Sequence, residues 1–119
     1  MVGRNVQHHA RAENHAILAP HSAKLDLANS AETNAYVAKH APDVIIHAAG
    51  KVGGIQANIA APVDFLEINT TIGRNILMAA RAARVPRVIN LSSSCMYPAA
   101  GENPLAEEQI LTGALEPTN

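Results

Sequence analysis

Residues 43–54, with the sequence DVIIHAAGKVGG, decide the fold. A short apolar run, rich in β-branched residues, stands here between Pro42 and a glycine-rich segment. Continuously apolar runs of this length are typical of strands that are buried on both faces of a parallel sheet. We therefore expect a buried strand over residues 43–49 that leads directly into a loop containing glycine.

Two further apolar runs repeat this pattern. Residues 16–19 (AILA) end at Pro20, and residues 88–91 (VINL) follow shortly after Pro86. Both runs are short, and proline interrupts the chain beside each of them, as it does at strand ends. Each run therefore predicts another strand.

The segments between these runs carry helical periodicity. The strongest is residues 63–84, where Pro62 suits a first helical position. Its apolar residues recur at steps of three or four and make one stripe: Phe65, Ile68, Ile72, Ile76, Ala79 and Ala83. Residues 30–40 predict a second helix with Glu32 in its first turn, where the helix dipole favours an acid. Residues 3–14 predict a weaker, more polar helix.

The elements therefore alternate from helix to strand along the whole chain. This order predicts an α/β protein with a Rossmann-like, doubly wound parallel sheet. The series begins on a helix, although the first strand of such a sheet is central. We expect a partial sheet whose first strand would precede residue 1. Residues 1–119 would then be an incomplete NAD(P)-binding Rossmann domain, with the substrate-binding domain absent.

The composition excludes several classes of protein. The 119 residues carry a net charge of −1 from 9 basic and 10 acidic residues, which excludes nucleic-acid binding through bulk charge. Aromatic residues make up 3%, too few for a platform that stacks bases. No apolar run approaches the roughly 20 residues that span a bilayer. The single cysteine, Cys95, suits a reducing compartment, so we expect a cytoplasmic protein without a membrane partner.

The six histidines do not predict a metal site. No pair has zinc-like spacing together with cysteine or acidic ligands on a common element. His8 and His9 would point to different sides of a helix, and His47 lies on a predicted strand, where a hydrogen-bonded histidine is the better interpretation. We expect no metal.

Small and polar residues follow two of the predicted strands, at the carboxyl ends where open α/β sheets bind ligands. Three glycines within residues 50–54 would let the backbone approach a cofactor closely. Residues 92–98 (SSSCMYP) follow the next strand, and their serine hydroxyls can donate and accept hydrogen bonds. The serines are either ligand contacts or strand caps. Cys95 is either a proton-transfer group or a small buried hydrophobic residue.

Two more positions allow both a cofactor contact and a structural explanation. Gly3 is either the last glycine of a phosphate-binding loop or an ordinary glycine near the N-terminus. Asp26 follows the predicted strand 16–19, where an acid either contacts the adenosine end of a dinucleotide or is a solvated loop acid or helix cap. The residues alone leave both alternatives open.

Together these segments resemble a known family. AAGKVGGI at 48–55, the helix that carries Asn69, SSCMYP at 93–98 and LTGALEPTN at 111–119 are similar to the GDP-L-fucose synthase branch of the extended short-chain dehydrogenases. A generic sugar-nucleotide epimerase would share the strand pattern, and a serine four residues before a tyrosine. It would share neither the KVGG segment nor the cysteine.

The resemblance implies an NADP(H)-dependent enzyme that epimerises GDP-4-keto-6-deoxy-mannose at C3 and C5 and reduces its C4 ketone. Ser93 would hydrogen-bond the keto oxygen, and Cys95 would transfer protons during epimerisation. Members of the family are usually homodimers, and the helix over 63–84 is a candidate for the shared face. The residues expected at the cofactor are Gly3, His21, Asp26, Leu27, Ala48, Ala49, Gly50, Leu91, Ser92 and Ser94.

The chain also departs from the family. It contains no Tyr-x-x-x-Lys, the pair that donates the proton in reduction and holds the ribose. Where members often carry arginine for the 2′-phosphate of NADP, this chain has His21, Ser22 and Lys24, so NADP rather than NAD is implied by the resemblance only. We expect a fragment that is inactive alone. The alternatives are another NAD(P)-dependent sugar-nucleotide epimerase or dehydratase, and a non-catalytic nucleotide-binding module.

Overall fold

Two parallel strands joined through two helices form the centre of the structure. The computed structural model describes residues 2–101 and 103–117, so the last two residues of the LTGALEPTN segment lie outside it. In chain order the main elements are α1 (Val2–Gln7), α2 (Ser30–His40), β1 (Val44–His47), α3 (Ile55–Ala60), α4 (Pro62–Ala82) and β2 (Arg87–Asn90). Short 3₁₀ helices cover Ala10–Asn14, Ser94–Met96 and Glu107–Gln109.

The sheet has the predicted parallel arrangement. Val44 lies opposite Arg87, and His47 lies opposite Asn90 at the other end of the ladder. The amide of Leu91 extends the ladder by donating to the His47 carbonyl at 3.2 Å. Parallel neighbours end at the same edge of a sheet, so the loops that follow β1 and β2 begin side by side. The prediction of an α/β fold with a parallel sheet is confirmed.

The strand predicted over residues 16–19 is wrong. These residues adopt no regular secondary structure and are exposed. A strand exists only through hydrogen bonds to a neighbouring strand, and the second strand of a doubly wound sheet pairs with the first. Among the described residues, the one ladder is that between β1 and β2.

The expected burial of the strands on both faces is also wrong. The side chains of Val44, Ile46 and Ile89 remain 44%, 43% and 43% exposed. The alternate residues of β1, Ile45 and His47, are half-buried. A Cβ built on Gly73 of α4 would lie 4.0 Å from His47 Nε2, which places α4 against that face. A sheet covered on one face shows this alternation.

The predicted long helix is confirmed as α4, which begins at Pro62 and ends at Ala82. Proline at the start costs no hydrogen bond, because the first amides of a helix have no intrahelical acceptor. The whole predicted stripe faces inward. Ile76 and Ala79 are buried, and the other four members are half-buried: Phe65, Ile68, Ile72 and Ala83.

The helix predicted over 30–40 is confirmed as α2, with its cap at Asn29. The Asn29 side-chain oxygen accepts from the amides of Ala31 at 3.0 Å and Glu32 at 3.2 Å. Glu32 in turn accepts from Asn29 Nδ2 at 2.9 Å. These contacts satisfy amides that a helix leaves without partners at its N-terminus.

The polar helix predicted over 3–14 divides into α1 and the first 3₁₀ helix. The break falls at His9, whose backbone is extended (φ −68°, ψ 139°) and whose Nδ1 accepts from the Arg11 amide at 3.1 Å. The first of these elements, α1, buries no side chain, so packing does not enforce a continuous helix.

The core lies beside the sheet, between α2 and α4. The buried apolar residues are Leu25, Val37, Ile76, Ala79 and Ala80, none of them more than 8% exposed. Two polar side chains share this core, Thr33 at 0% and Asn75 at 4% exposure. Thr33 Oγ1 donates to the Asn29 carbonyl at 2.9 Å, which offsets the cost of burying a hydroxyl.

Candidate functional site

The loop after β1 is held by one side chain of α4. The Lys51 amide donates to Asn69 Oδ1 at 2.7 Å, and Asn69 Nδ2 donates to the Lys51 carbonyl at 3.1 Å. Ala48 and Ala49 precede this contact, and both are exposed. A Cβ on Gly50 would lie 2.9 Å from Asn69 Oδ1, so a larger residue there would displace the Asn69 side chain from its contact with Lys51.

The second half of this loop packs against α3. A Cβ on Gly53 would lie 2.9 Å from both Ala57 Cβ and Phe65 Cζ, whereas a Cβ on Gly54 would meet nothing within 4 Å. Asn58 Nδ2 donates to the carbonyls of both glycines, at 3.2 and 3.0 Å. Of these two glycines, only Gly53 is required by packing.

Gly3 lies next to the end of β1. A Cβ built on it would be 3.8 Å from Ala48 Cβ, an ordinary packing distance. The structure therefore brings together Gly3 and the segment that begins at Ala48, which the sequence separates by more than forty residues. An alanine at this position would therefore fit, so packing does not require a glycine here.

The serine-rich segment after β2 begins beside the loop after β1. Ser93 caps the 3₁₀ helix Ser94–Met96, and its Oγ accepts from the Cys95 amide at 3.2 Å. That contact uses a lone pair of Ser93 and leaves its hydroxyl hydrogen for another acceptor. Ser92 Oγ contacts Met96 Sδ at 3.0 Å. Cys95 is a free, exposed cysteine, so of the two alternatives that of a small buried hydrophobic residue is wrong.

Cys95 lies in the wall of an open cleft of about 350 Å³. The segment that follows it is anchored by the Leu111 amide, which donates to the Met96 carbonyl at 3.0 Å, and by the Ala99 amide, which donates to the Ala114 carbonyl at 2.9 Å. The cleft is lined by Ser94, Cys95, Tyr97, Pro98, Ala99, Gly101, Asn103, Leu105 and Glu116. A thiol in such a cleft is accessible to a small molecule.

The residues expected near the adenosine lie in a separate loop, which is organised by its own side chains. His21 Nδ1 accepts from the Ala23 amide at 3.1 Å, and Asp26 Oδ1 accepts from the Ala28 amide at 2.9 Å. Leu27 is half-buried, and Asp26 and His21 are exposed. Asp26 thus has a structural role, because its carboxylate stabilises a turn in this loop. This leaves its second oxygen for another donor.

Asn75 of α4 holds this loop through hydrogen bonds to its backbone. Its Nδ2 donates to the carbonyls of Leu27 at 2.9 Å and Ala28 at 3.0 Å. This contact was not predicted from the sequence. Asn75 lies three residues after Ile72 and four before Ala79, on the apolar face of the helix. A polar residue on a buried face needs a hydrogen-bond partner, so its position was the available signal.

Two electrostatic features lie near the strand ends. Lys51 Nζ lies 3.3 Å from Asp64 Oδ2 and 4.9 Å from the centre of the Phe65 ring. Both side chains of the ion pair are substantially exposed, which limits its contribution to stability. Burial lowers the pKa of His47 below its ordinary value, because desolvation disfavours the charged imidazole.

Residues 2–101 and 103–117, which the structure describes, have two properties that concern metal and membrane binding. They contain no group of three or more His, Cys, Asp or Glu side chains that could hold a metal ion. In the same part of the chain, no helix combines the length and the apolarity that crossing a membrane requires.

A parallel sheet with glycine and serine loops at its carboxyl edge defines the class of Rossmann-type, dinucleotide-binding proteins. The NAD dependent epimerase/dehydratase family matches residues 1–119 of the chain. The chain belongs to this family of sugar-nucleotide epimerases and reductases.

Two relatives are similar to this chain over its full length. The chain is 49% identical over its full length to a GDP-L-fucose synthase of Azorhizobium caulinodans, of which it covers 38%. It is 45% identical, again over its full length, to a GDP-L-colitose synthase of Yersinia pseudotuberculosis, of which it covers 39%. The chain thus spans less than two-fifths of the length of these relatives.

A solved structure supports the same fold. The GDP-mannoheptose C4 reductase of Campylobacter jejuni, determined with NADP bound, superimposes with a TM-score of 0.76 at 28% identity. The match covers 85% of this chain and 32% of the reductase. The superposition and the family match therefore both confirm the predicted Rossmann-like fold.

Proposed function

We propose that these residues form part of the NADP(H)-binding domain of a GDP-L-fucose synthase, which epimerises GDP-4-keto-6-deoxy-mannose and reduces its C4 ketone. The observation that carries this proposal is the shared edge at which β1 and β2 end. There, the small residues after His47 lie beside the serine and cysteine segment after Asn90. The 49% identity to a GDP-L-fucose synthase supports the choice of substrate.

The edge suits a flat cofactor ring. Ala48, Ala49 and Gly50 are exposed and nearly without side chains, so a ring can lie against their backbone. Gly3 packs against Ala48, and the structural neighbour with NADP bound supports this cofactor. When bound, NADPH supplies the hydride for reduction of the ketone. The proposed cofactor contacts are Gly3, His21, Asp26, Leu27, Ala48, Ala49, Gly50, Leu91, Ser92 and Ser94.

Ser93 and Cys95 are the proposed catalytic residues. The hydroxyl hydrogen of Ser93, which its contact with the Cys95 amide leaves unused, donates to the keto oxygen of the substrate. A donor there stabilises the negative charge that develops when a neighbouring proton leaves. The exposed Cys95 side chain, two residues further on, takes that proton as the thiolate, and as the thiol it returns one to the carbon.

The test separates epimerisation from reduction. The protein translated from its complete reading frame is incubated with GDP-4-keto-6-deoxy-mannose in D₂O, without NADPH, and deuterium uptake at C3 and C5 is followed by NMR. We expect Cys95→Ser to slow uptake by about 100-fold or more, the contribution typical of a positioned acid or base. Ser93→Ala should slow both uptake and NADPH oxidation. Uptake by the Cys95→Ser variant at the parent rate would refute the role of Cys95.

A second candidate function is the synthesis of another GDP-sugar, since the relative named GDP-L-colitose synthase is 45% identical. Identification of the product by mass spectrometry and NMR distinguishes the two activities. We also propose that residues 1–119 alone turn over no substrate, because they lack the Tyr-x-x-x-Lys of the family. GDP-fucose formed by this isolated chain would overturn that part of the proposal.

A further inference from the structure

Two asparagines of α4 each bind the backbone of a different loop. Asn69 contacts both the amide and the carbonyl of Lys51, in the loop after β1. Asn75 contacts the carbonyls of Leu27 and Ala28, in the loop before α2. Both loops carry residues that are proposed as contacts of one dinucleotide.

The helix sets how far apart these two contacts lie. The asparagines are six residues apart, which in an α-helix is about 9 Å along the axis and roughly 120° around it. Their side chains therefore leave the helix at different heights and on different sides. A rigid helix with one hydrogen-bonding amide for each loop fixes the positions of the loops relative to each other.

Neither asparagine is explained by packing alone. Asn75 is 4% exposed beside Ile76, in a core where an aliphatic side chain would bury more apolar surface. Asn69 is exposed, so it gains little from burial. What both side chains provide is a hydrogen bond to backbone groups that have left the regular secondary structure.

We propose that Asn69 and Asn75 are positioning residues for the cofactor, which together hold the loop after β1 and the loop at 27–28 at the spacing that one bound dinucleotide requires. The proposal rests on the proposed NADP(H) function. Without Asn69 the loop after β1 moves away from α4, and without Asn75 the loop at 27–28 does so, while α4 itself persists. Neither asparagine is assigned a contact with the cofactor.

The test measures loop order and cofactor affinity in the same variants. Hydrogen exchange is followed by NMR at the amides of Lys51 and Ala28, and the Kd for NADPH is measured by fluorescence titration. Asn69→Ala should speed exchange at Lys51 about five- to tenfold and leave Ala28 unchanged, whereas Asn75→Ala should do the reverse. At Lys51 the amide loses its own hydrogen bond to Asn69 Oδ1. At Ala28, whose amide donates to Asp26 Oδ1, faster exchange reports the loosening of the loop that Asn75 holds by its carbonyls.

Each alanine variant should also weaken NADPH binding at least about fivefold at temperatures well below its melting point. The double variant should show the product of the two effects, because the asparagines act on separate loops.

Asn69→Asp keeps the acceptor for the Lys51 amide and loses the donor to its carbonyl, so its Kd should lie between those of the parent and Asn69→Ala. Asn34→Ala, on the exposed side of α2, is the matched control and should change nothing.

Loosened loops with an unchanged Kd would overturn the proposal, as would unchanged exchange in both alanine variants. If Asn75→Ala fails to fold, the exposed Asn69 variants still decide the outcome. If the parent protein does not bind NADPH, the proposed function fails instead, and the exchange rates alone then show whether the two asparagines hold the loops.

Discussion

Between α2 and α4, Val37 and Ile76 are only 5% and 7% exposed, whereas Gly50 and Cys95 lie exposed at the ends of β1 and β2. The helical layer is stabilised by apolar burial, which is non-directional and tolerates small shifts. The loop after β1 is held by a few hydrogen bonds from side chains such as Asn69, and hydrogen bonds depend on direction. In this molecule, stability and the candidate site therefore rest on different kinds of interaction.

The largest effect is expected from Ile76→Ala, which removes a buried side chain from the helical layer. It leaves a cavity and should lower the free energy of unfolding by about 3 kcal/mol, as core Ile→Ala changes do. Urea denaturation measures this change. Ile59→Ala, at a residue that is 56% exposed, is the control and should cost less than about 1 kcal/mol. Equal losses at the two positions would contradict the comparison.

A smaller effect on stability, but a direct effect on the site, is expected from Gly53→Ala. The new Cβ would meet Ala57 and Phe65 at 2.9 Å, so the loop or α3 must shift at a cost of about 1–2 kcal/mol. NADPH affinity should fall as well. Gly54→Ala is the matched control, because nothing lies within 4 Å of its Cβ. Equal behaviour of the two variants would show that the loop is not held by packing at Gly53.

The pH dependence of stability tests the buried side of β1. Burial lowers the pKa of His47 in the folded state, so the unfolded chain binds the proton more readily. The contribution of His47 is therefore complete above its ordinary pKa of about 6.5 and is lost as the pH falls through the lower pKa of the folded state. Melting temperatures between pH 5 and 8 should show a decline on the acid side that is shallower in His47→Gln. An identical pH profile in that variant would contradict this assignment.

The smallest effect is expected from Lys51→Met, which removes the ion pair with Asp64 and the contact with Phe65. The pair spans 3.3 Å, but its side chains are 33% and 62% exposed, so stability should change by no more than about 0.5–1 kcal/mol. The difference from the parent should shrink further in 0.5 M salt, because screening weakens exposed pairs. A loss as large as that of Ile76→Ala would mean that charge, and not burial, stabilises this region.

Local signals predicted much of this fold. Pro62 and the stripe that contains Ile76 defined α4, and the apolar run over 43–49 defined β1, because periodicity and proline act over short distances. The prediction of a strand at 16–19 was wrong for a physical reason. Its composition suits a strand, but a strand also needs a partner, which a local pattern does not contain.

The candidate site was predictable only in part. The sequence pointed to Gly50 and to the serine segment around Ser93 because small and polar residues follow strands there. It gave no role to Asn69 or Asn75, whose contacts join positions 18 and 48 residues apart in the chain. Contacts of this range depend on how the helix packs, so periodicity does not reveal them.

The parallel ladder of β1 and β2 has four residue pairs, the last of which joins His47 to Asn90. A slip of one residue would displace Ser93 by about 3.3 Å along the strand direction and turn β2 over, so that its inward and outward faces exchange. Four pairs resist such a slip only weakly by themselves. The register of β1 and β2 thus sets the positions of the side chains proposed for the acid–base chemistry. Mutations far from Cys95 that loosen the ladder would misalign the reacting atoms, although they alter no group that touches the substrate.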